Sequence, residues 1–163
     1  MKRHLFPIIV TLLCIGCTPA NKDLIAVCGD GIVKIIDLSE SDGKNIKTKE
    51  ILCYAHVPMA HSADLLPGNR IAVALSTHKK GNALEIYDVA APEKLVLRDS
   101  LYSGHGVVWN EKRQSLYALG YKELREYKLE NWDTEKPALK RVKTWEIPMN
   151  SGQDRLHRFA EYL

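Results

Sequence analysis

Beyond residue 23 the apolar positions come in short runs closed by glycine, proline, asparagine or aspartate. Leu24-Ile25-Ala26-Val27-Cys28 ends at Gly29-Asp30-Gly31, and Ile32-Val33-Lys34-Ile35-Ile36-Asp37-Leu38 follows. That pattern predicts two strands about a tight turn. No stretch of ten or more residues keeps a helical apolar period between caps, and Tyr121 to Glu130, the best candidate, is better explained by a repeat.

Two internal alignments carry the repeat. Ile25–Leu38 matches Leu116–Leu129 without gaps, setting Gly29 on Gly120, Lys34 on Arg125 and Leu38 on Leu129. His61–Leu75 matches His105–Leu119, again without gaps, setting His61 on His105, Ala74 on Ala118 and Leu75 on Leu119, a period of 44 residues. Short strands at a period of about 40–50 residues are the signature of propeller blades. The expected fold is all-β: about three four-stranded antiparallel repeats forming β-propeller-type blades in an incomplete ring. A β-sandwich with coincidental internal similarity is the other reading. In the second unit strands are predicted at 60–66, 70–76, 83–89 and 94–101, and in the third at 106–110, 115–119, 124–129 and 139–147. The first unit offers its hairpin at 24–38 and an outer strand near 48–54, and its inner strand is missing. Three blades leave sheet faces without neighbours, so self-association through open blade edges is expected.

The N-terminus reads as an address. Lys2, Arg3 and His4 precede an apolar stretch of 11 residues, Leu5 to Ile15. As a helix this stretch spans about 16 Å, short of the roughly 30 Å hydrocarbon core, so a cleaved signal is expected instead of a membrane span. Cys14-Ile15-Gly16-Cys17 resembles a bacterial lipobox, with Cys14 where leucine is usual. The division that follows is a lipoprotein signal peptide at 1–16, lipidation at Cys17, a polar tether at 17–23 and a partial propeller domain at 24–163. Lipid chains on Cys17 would attach the protein to the membrane in the bacterial cell envelope.

Charge narrows the partners. The chain has 163 residues, with 23 Lys and Arg against 20 Asp and Glu. Loss of Lys2 and Arg3 with the leader takes 23 to 21, close to neutrality. Nothing in that balance favours nucleic acid. Cys28 and Cys53 match no CxxC metal spacing. In an envelope compartment they form either a disulfide or two buried free thiols.

Residues 60–133 carry a family resemblance. Ala60-His61-Ser62-Ala63-Asp64-Leu65-Leu66-Pro67, Leu101-Tyr102-Ser103-Gly104-His105-Gly106-Val107-Val108-Trp109, Ala118-Leu119-Gly120 and Asn131-Trp132-Asp133 are similar to segments of the DUF6528 family. The resemblance covers about Asp23 to Gly152 and implies a bacterial envelope protein with a β-propeller fold. It brings no activity with it. Members of that family look roughly twice as long and continue with Gly-His-Asp-Leu where this chain has Gly152-Gln153-Asp154-Arg155-Leu156. The expectation is therefore a chain that corresponds to an N-terminal, truncated portion, and an inactive relative is one of the functional readings.

The repeat nominates a site. His61 and His105 open successive inner strands, and Ser151-Gly152-Gln153 repeats Ser103-Gly104-His105, so Gln153 takes the third equivalent place. Inner strands line a propeller's channel, where these three side chains would converge. Nitrogen and oxygen donors of this kind suit a divalent metal such as Mn²⁺, and such an ion could act as a Lewis acid on a sugar carboxylate. Alternatively these residues hydrogen-bond between blades, or touch a sugar directly. Asp64 lies on the opposite strand face from His61, and Asp154 follows Gln153. Trp109 and Trp132 are candidate ligand contacts; Trp109, like Tyr87, Tyr117 and Tyr127, also has the strand spacing of a core aromatic. Neither a phosphate loop nor a serine elbow is present. The leading functional expectation is a binding or interaction module for a glycan or protein. A metal-assisted lyase or hydrolase of uronate-type carbohydrates follows by fold-level analogy alone with propeller lyases acting on oligogalacturonate.

Overall fold

The computed structural model describes residues 23–29 and 31–148. Among these residues the chain is all-β apart from one 3₁₀ turn, Thr48–Glu50. The strands are β1 (Leu24–Gly29), β2 (Ile32–Asp37), β3 (Ile51–His56), β4 (Ala60–Leu66), β5 (Arg70–Leu75), β6 (Ala83–Asp88), β7 (Ala91–Ser100), β8 (Gly106–Asn110), β9 (Ser115–Leu119), β10 (Glu123–Glu130) and β11 (Ala138–Glu146). They form three antiparallel sheets, ordered β1-β2-β3, β4-β5-β6-β7 and β8-β9-β10-β11. The sheets are not closed into a barrel, and they stack as an incomplete set of propeller-like blades. We call them sheets 1, 2 and 3. Among the described residues sheet 1 has three strands, and β1 takes its innermost place, against β4.

Two predicted strand starts move by three residues, each for a local reason. β7 starts at Ala91, ahead of Pro92, because β7 is an edge strand and proline's missing N–H costs an edge no ladder bond. β3 starts at Ile51, because residues 48–50 tighten into the 3₁₀ turn while the Glu50 carboxylate accepts the Lys47 N–H at 2.8 Å.

Sheet 2 shows why the stack holds. Successive side chains of a strand point to opposite faces. On β5, Ile71, Val73 and Leu75 face sheet 1 and pack with Val33, Ile35 and Val57. Ala72 and Ala74 face sheet 3 and pack with Leu116, Ala118 and Tyr127. Both faces of β5 are thus buried, which is why its sequence is an unbroken apolar run. The small alanines let the backbones of sheets 2 and 3 approach. Gly104 makes the same allowance: its N–H reaches Leu75 O at 3.0 Å, and a Cβ there would meet that oxygen at 2.9 Å.

The 44-residue repeat needs one correction. The turn between β4 and β5 has three residues, 67–69, and that between β8 and β9 has four, 111–114. The extra residue shifts the second strand by one, which reverses its faces relative to a gapless alignment. Ala74 therefore corresponds to Leu119, not Ala118, and Ala72 to Tyr117. The cross-strand pairs agree: Tyr87 stands opposite Ile71, and Tyr127 opposite Leu116. For the inner strands the 44-residue step holds, so His61 and His105 remain equivalent.

Polar cross-links fasten sheet 2 to sheet 3. Arg125, on β10, is 7% exposed and reaches Ser100 O and, at 3.5 Å, Asp99 of β7. It also reaches Glu123 at 2.6 Å and the Tyr127 hydroxyl at 3.2 Å. Burial works against its charge, and the bonds to Glu123 and Tyr127 outweigh that, holding the guanidinium above its ordinary pKa. The Tyr127 hydroxyl donates to Asp99 at 2.6 Å. Burial, then that bond to a carboxylate, pushes Tyr127 up to about 12. At the far rim, Trp132 donates its indole N–H to Pro67 O at 2.8 Å, and Arg70 stacks 4.4 Å from its ring centroid while bonding Trp132 O.

The Tyr127 shift has a sign. Its hydroxyl is neutral to a higher pH in the folded chain than in the unfolded chain, whose phenols ionise near pH 10. Stability from this group is complete below pH about 10 and is lost as pH rises through about 12. Urea denaturation between pH 8 and pH 11 should show that loss, and Tyr127→Phe should flatten it.

Candidate functional site

The inner strands start at one end of the stack, and so do the chemical groups. β4 begins beside the end of β5, and β8 beside the end of β9. The connections 76–82 and 120–122 therefore share that end with His61 and His105. His61 is the extra residue of a β-bulge, because Ala60 and Ser62 pair with the consecutive residues Leu75 and Ala74. The bulge turns its imidazole outward. His105 enters from a tight connection in which Ser103 takes a left-handed φ of 47° and its N–H is held by Asn82 Oδ1 at 2.9 Å.

These two elements bring the histidines together as the repeat predicts. Their ring centroids lie 5.2 Å apart with the planes at 75°. His105 Nδ1 sits 2.6 Å from Ser103 O. That carbonyl can only accept, so Nδ1 carries the proton in this contact and Nε2 is left as the ring's lone-pair nitrogen. Gln153, the third predicted ligand, lies outside the described residues, as do Asp154 and the predicted lipidation site Cys17. Among the described residues no group of three or more His, Cys, Asp or Glu side chains could hold a metal ion.

Other nominated groups are spent on cohesion between sheets. Ser62 Oγ accepts the Val107 N–H at 3.1 Å, and Asp64 Oδ2 accepts the Trp109 N–H at 2.7 Å. Both donors belong to β8, an edge strand of sheet 3. Asp64 thus serves the fold and stands on the other face from His61. Trp109 is half-buried against the core, with its indole N–H on Glu111 at 2.5 Å. Trp132 is corrected from a ligand contact to a structural residue: it is 8% exposed and its only polar atom is used. His78 is exposed in its turn, with Nδ1 accepting the Lys80 N–H at 3.2 Å, and His56 ends β3.

The disulfide reading fails on topology. Cys28 is a free thiol, half-buried, and burial pushes its pKa up. It lies on β1 opposite Val33, while Cys53 lies on β3 opposite Ile35. With β2 between them, two strand spacings of about 4.8 Å separate the backbones. A disulfide needs Cα atoms within about 7 Å.

The chain's sequence pattern did not single out the most exposed aromatics here. Tyr102 is 60% exposed and packs edge-on against Tyr121, with centroids 5.9 Å apart. The Tyr121 N–H bonds Tyr102 O at 3.0 Å, tying the two connections together. Lys122 Nζ lies 5.8 Å from the Tyr121 ring centroid. The pair borders an open cleft of about 480 Å³, completed by Lys122, Glu123, Thr144, Glu146 and Ile147. The signal for it was two tyrosines in separate connections, visible as neighbours only once the hairpin β9–β10 is folded against residue 102.

No family model matches the chain, and no curated protein does. Solved structures resemble it in fold. One is a functionally unknown protein from Desulfotomaculum acetoxidans DSM 771, 17% identical with a TM-score of 0.52, over 76% of this chain and 38% of that one. Another is KlHsv2 with loop 6CD replaced by a Gly-Ser linker, 15% identical with a TM-score of 0.51, over 77% of this chain and 42% of that one. The chain spans about two fifths of the length of these structures.

Reassigning Trp132 has a measurable consequence. Trp132→Ala should lower unfolding stability by about 3 kcal/mol, through loss of a buried aromatic. Urea denaturation monitored by circular dichroism reads this, and an unchanged midpoint would return Trp132 to the list of ligand contacts.

Proposed function

We propose that the chain is an envelope lipoprotein, attached through lipid on Cys17, whose stacked sheets present a binding module for a glycan or a protein. The observation that supports binding is the exposed Tyr102–Tyr121 pair beside its cleft. Solvent-facing aromatic rings held edge-on are costly to leave in water and well shaped to stack on the apolar face of a sugar ring. Lys122 and Glu123 beside them supply donors and an acceptor for hydroxyls. The polar groups deeper in the stack, Ser62 and Asp64, are already bonded to β8. The N-terminal pattern supports the address: a basic start, a short apolar stretch and Gly16-Cys17. Among the described residues no helix is long and apolar enough to cross a membrane.

A glycan array probed with the full chain tests this reading. Tyr102→Ala should weaken the best-binding glycan at least tenfold, about 1.4 kcal/mol, without moving the unfolding midpoint. Binding unchanged in Tyr102→Ala and in Tyr121→Ala would sink the assignment of this cleft.

A second reading rests on the histidine pair. Two imidazoles that share one tetrahedral metal ion have centroids about 5 Å apart, from ligand distances of about 2.1 Å. The observed 5.2 Å fits that spacing, and the Ser103 carbonyl holds the His105 ring through Nδ1, leaving Nε2 to face a ligand. With Gln153 added, the site would suit Mn²⁺ and a metal-assisted lyase or hydrolase acting on uronate-type carbohydrate. Calorimetric titration with Mn²⁺ should then show saturable binding that His61→Ala and His105→Ala each abolish. Absence of heat in the native chain removes the metal-assisted reading and leaves the binding module standing.

A further inference from the structure

We infer that the glycan is an acidic one, with a sugar ring stacked on Tyr102 and its sulfate or carboxylate groups held by Lys79, Lys80 and Lys122. The inference rests on the binding reading above and narrows its ligand to an anionic class.

Three connections meet at this end of the stack, and each joins two described strands. Residues 76–82 link β5 to β6, 101–105 link β7 to β8, and 120–122 link β9 to β10. Hydrogen bonds stitch them together in that order. Asn82 O accepts the Leu101 N–H at 3.0 Å, and Asn82 Oδ1 accepts the Ser103 N–H at 2.9 Å. Tyr102 O then accepts the Tyr121 N–H at 3.0 Å. Asn82 thus holds both chain neighbours of Tyr102. Tyr102 stands between one connection that carries Lys79 and Lys80 and another that carries Lys122. The three lysines and both tyrosines are exposed.

The lysine-bearing connection 76–82 is held firmly. Its backbone closes on itself, with the Gly81 N–H on His78 O at 3.0 Å and the Asn82 N–H on Ser76 O at 2.9 Å. A Cβ on Gly81 would stand 1.9 Å from Ser76 O, so this closure requires glycine. Arg98 Nη2 donates to Lys80 O at 3.0 Å and to Gly81 O at 2.9 Å, while Nη1 is held by the buried Glu85 carboxylate. His78 Nδ1 accepts the Lys80 N–H, which leaves the proton of the neutral ring on Nε2. The carbonyls of residues 76, 78, 80 and 81 are thereby used within the protein, and Lys79, Lys80 and His78 offer donors to a ligand. A connection ordered before the ligand arrives loses little freedom on binding.

The charges of this end leave the lysines in excess. Glu85 pairs with Arg98, and Asp99 and Glu123 pair with Arg125. Glu146 is exposed at the end of β11 and borders the cleft; among the described residues no ion pair answers it. Asp30 lies outside the described residues. An ammonium group gains little by exchanging water for a sugar hydroxyl. It gains a charge-assisted bond from a sulfate or carboxylate. Lysines on both sides of one aromatic ring therefore select an anionic sugar, and Glu146 works against it.

Three polymers with one backbone test the inference: dextran sulfate, carboxymethyl dextran and unmodified dextran, titrated calorimetrically into the full chain. EDTA is present, so the histidine pair takes no metal. Both charged dextrans should bind at least about tenfold more tightly than dextran, and salt raised from about 50 to about 300 mM should weaken them. Lys79→Ala combined with Lys80→Ala should weaken dextran sulfate about fivefold or more. Glu146→Gln should tighten it about twofold, a gain that damage to the fold would not give. Circular dichroism verifies that each variant is folded. Equal affinity for charged and neutral dextran overturns the acidic class and leaves glycan binding standing. Tight binding of dextran sulfate that Tyr102→Ala does not change overturns the placement at Tyr102. No binding of either charged dextran overturns the inference as a whole, and the glycan array still reads the parent proposal separately.

Discussion

Sheet 2 is apolar on both faces and takes a neighbouring sheet on each. That constraint organises this chain. Sheet 2 is covered on both sides because β5 alternates its apolar side chains between two neighbours. Burial of this kind is non-directional, so it holds sheets together without fixing how they sit. The rims supply the direction. Arg125, Tyr127 and Asp99 cross one side of the gap, and Trp132 with Arg70 and Pro67 O crosses the other. Arg125, Tyr127 and Trp132 come from the sheet 3 side, and their polar atoms find Asp99, Ser100 O and Pro67 O in one placement of sheet 2. The apolar slabs hold the stack, and the polar rims set its register.

The same economy explains how Ser62 and Asp64 are used. An inner strand is an edge strand, and half of its N–H groups point away from its own sheet. On β8 two of these donors, at Val107 and Trp109, are satisfied by Ser62 and Asp64 across the gap. A hydroxyl and a carboxylate that satisfy backbone donors are held in place, which suits cohesion between the sheets. A bulge in β4 carries His61 and a left-handed connection carries His105, which sets the two rings side by side.

Much of the fold was legible because its signals are local. Strand ends follow Gly, Pro, Asn and Asp, and the bounds of β4, β8 and β9 match the sequence pattern residue for residue. The convergence of His61 with His105 was legible because equivalent positions of neighbouring units lie side by side. What was hidden depended on geometry across the chain. One residue in the turn 111–114 reversed which side of β9 faces sheet 2, and nothing in a gapless match of apolar residues reports that, since both faces are apolar. Pairing of Cys28 with Cys53 looked open from spacing and is closed by β2 lying between their strands. Trp132 and Tyr102 are both aromatic residues in connections, and composition could not say that one is sealed under Arg70 while the other faces water.

The side chains that reach from β4 to β8 also act as gatekeepers. An edge strand with unpaired N–H groups is a template for any extended chain that drifts past it, the first step toward cross-β aggregation. Ser62 and Asp64 occupy two of the donors that an incoming strand would use. Asp64 also brings a negative charge to that edge, which repels a second edge of the same kind. Strand addition along β8 is thereby blocked from within, and a protein with open apolar faces keeps one common route to amyloid shut.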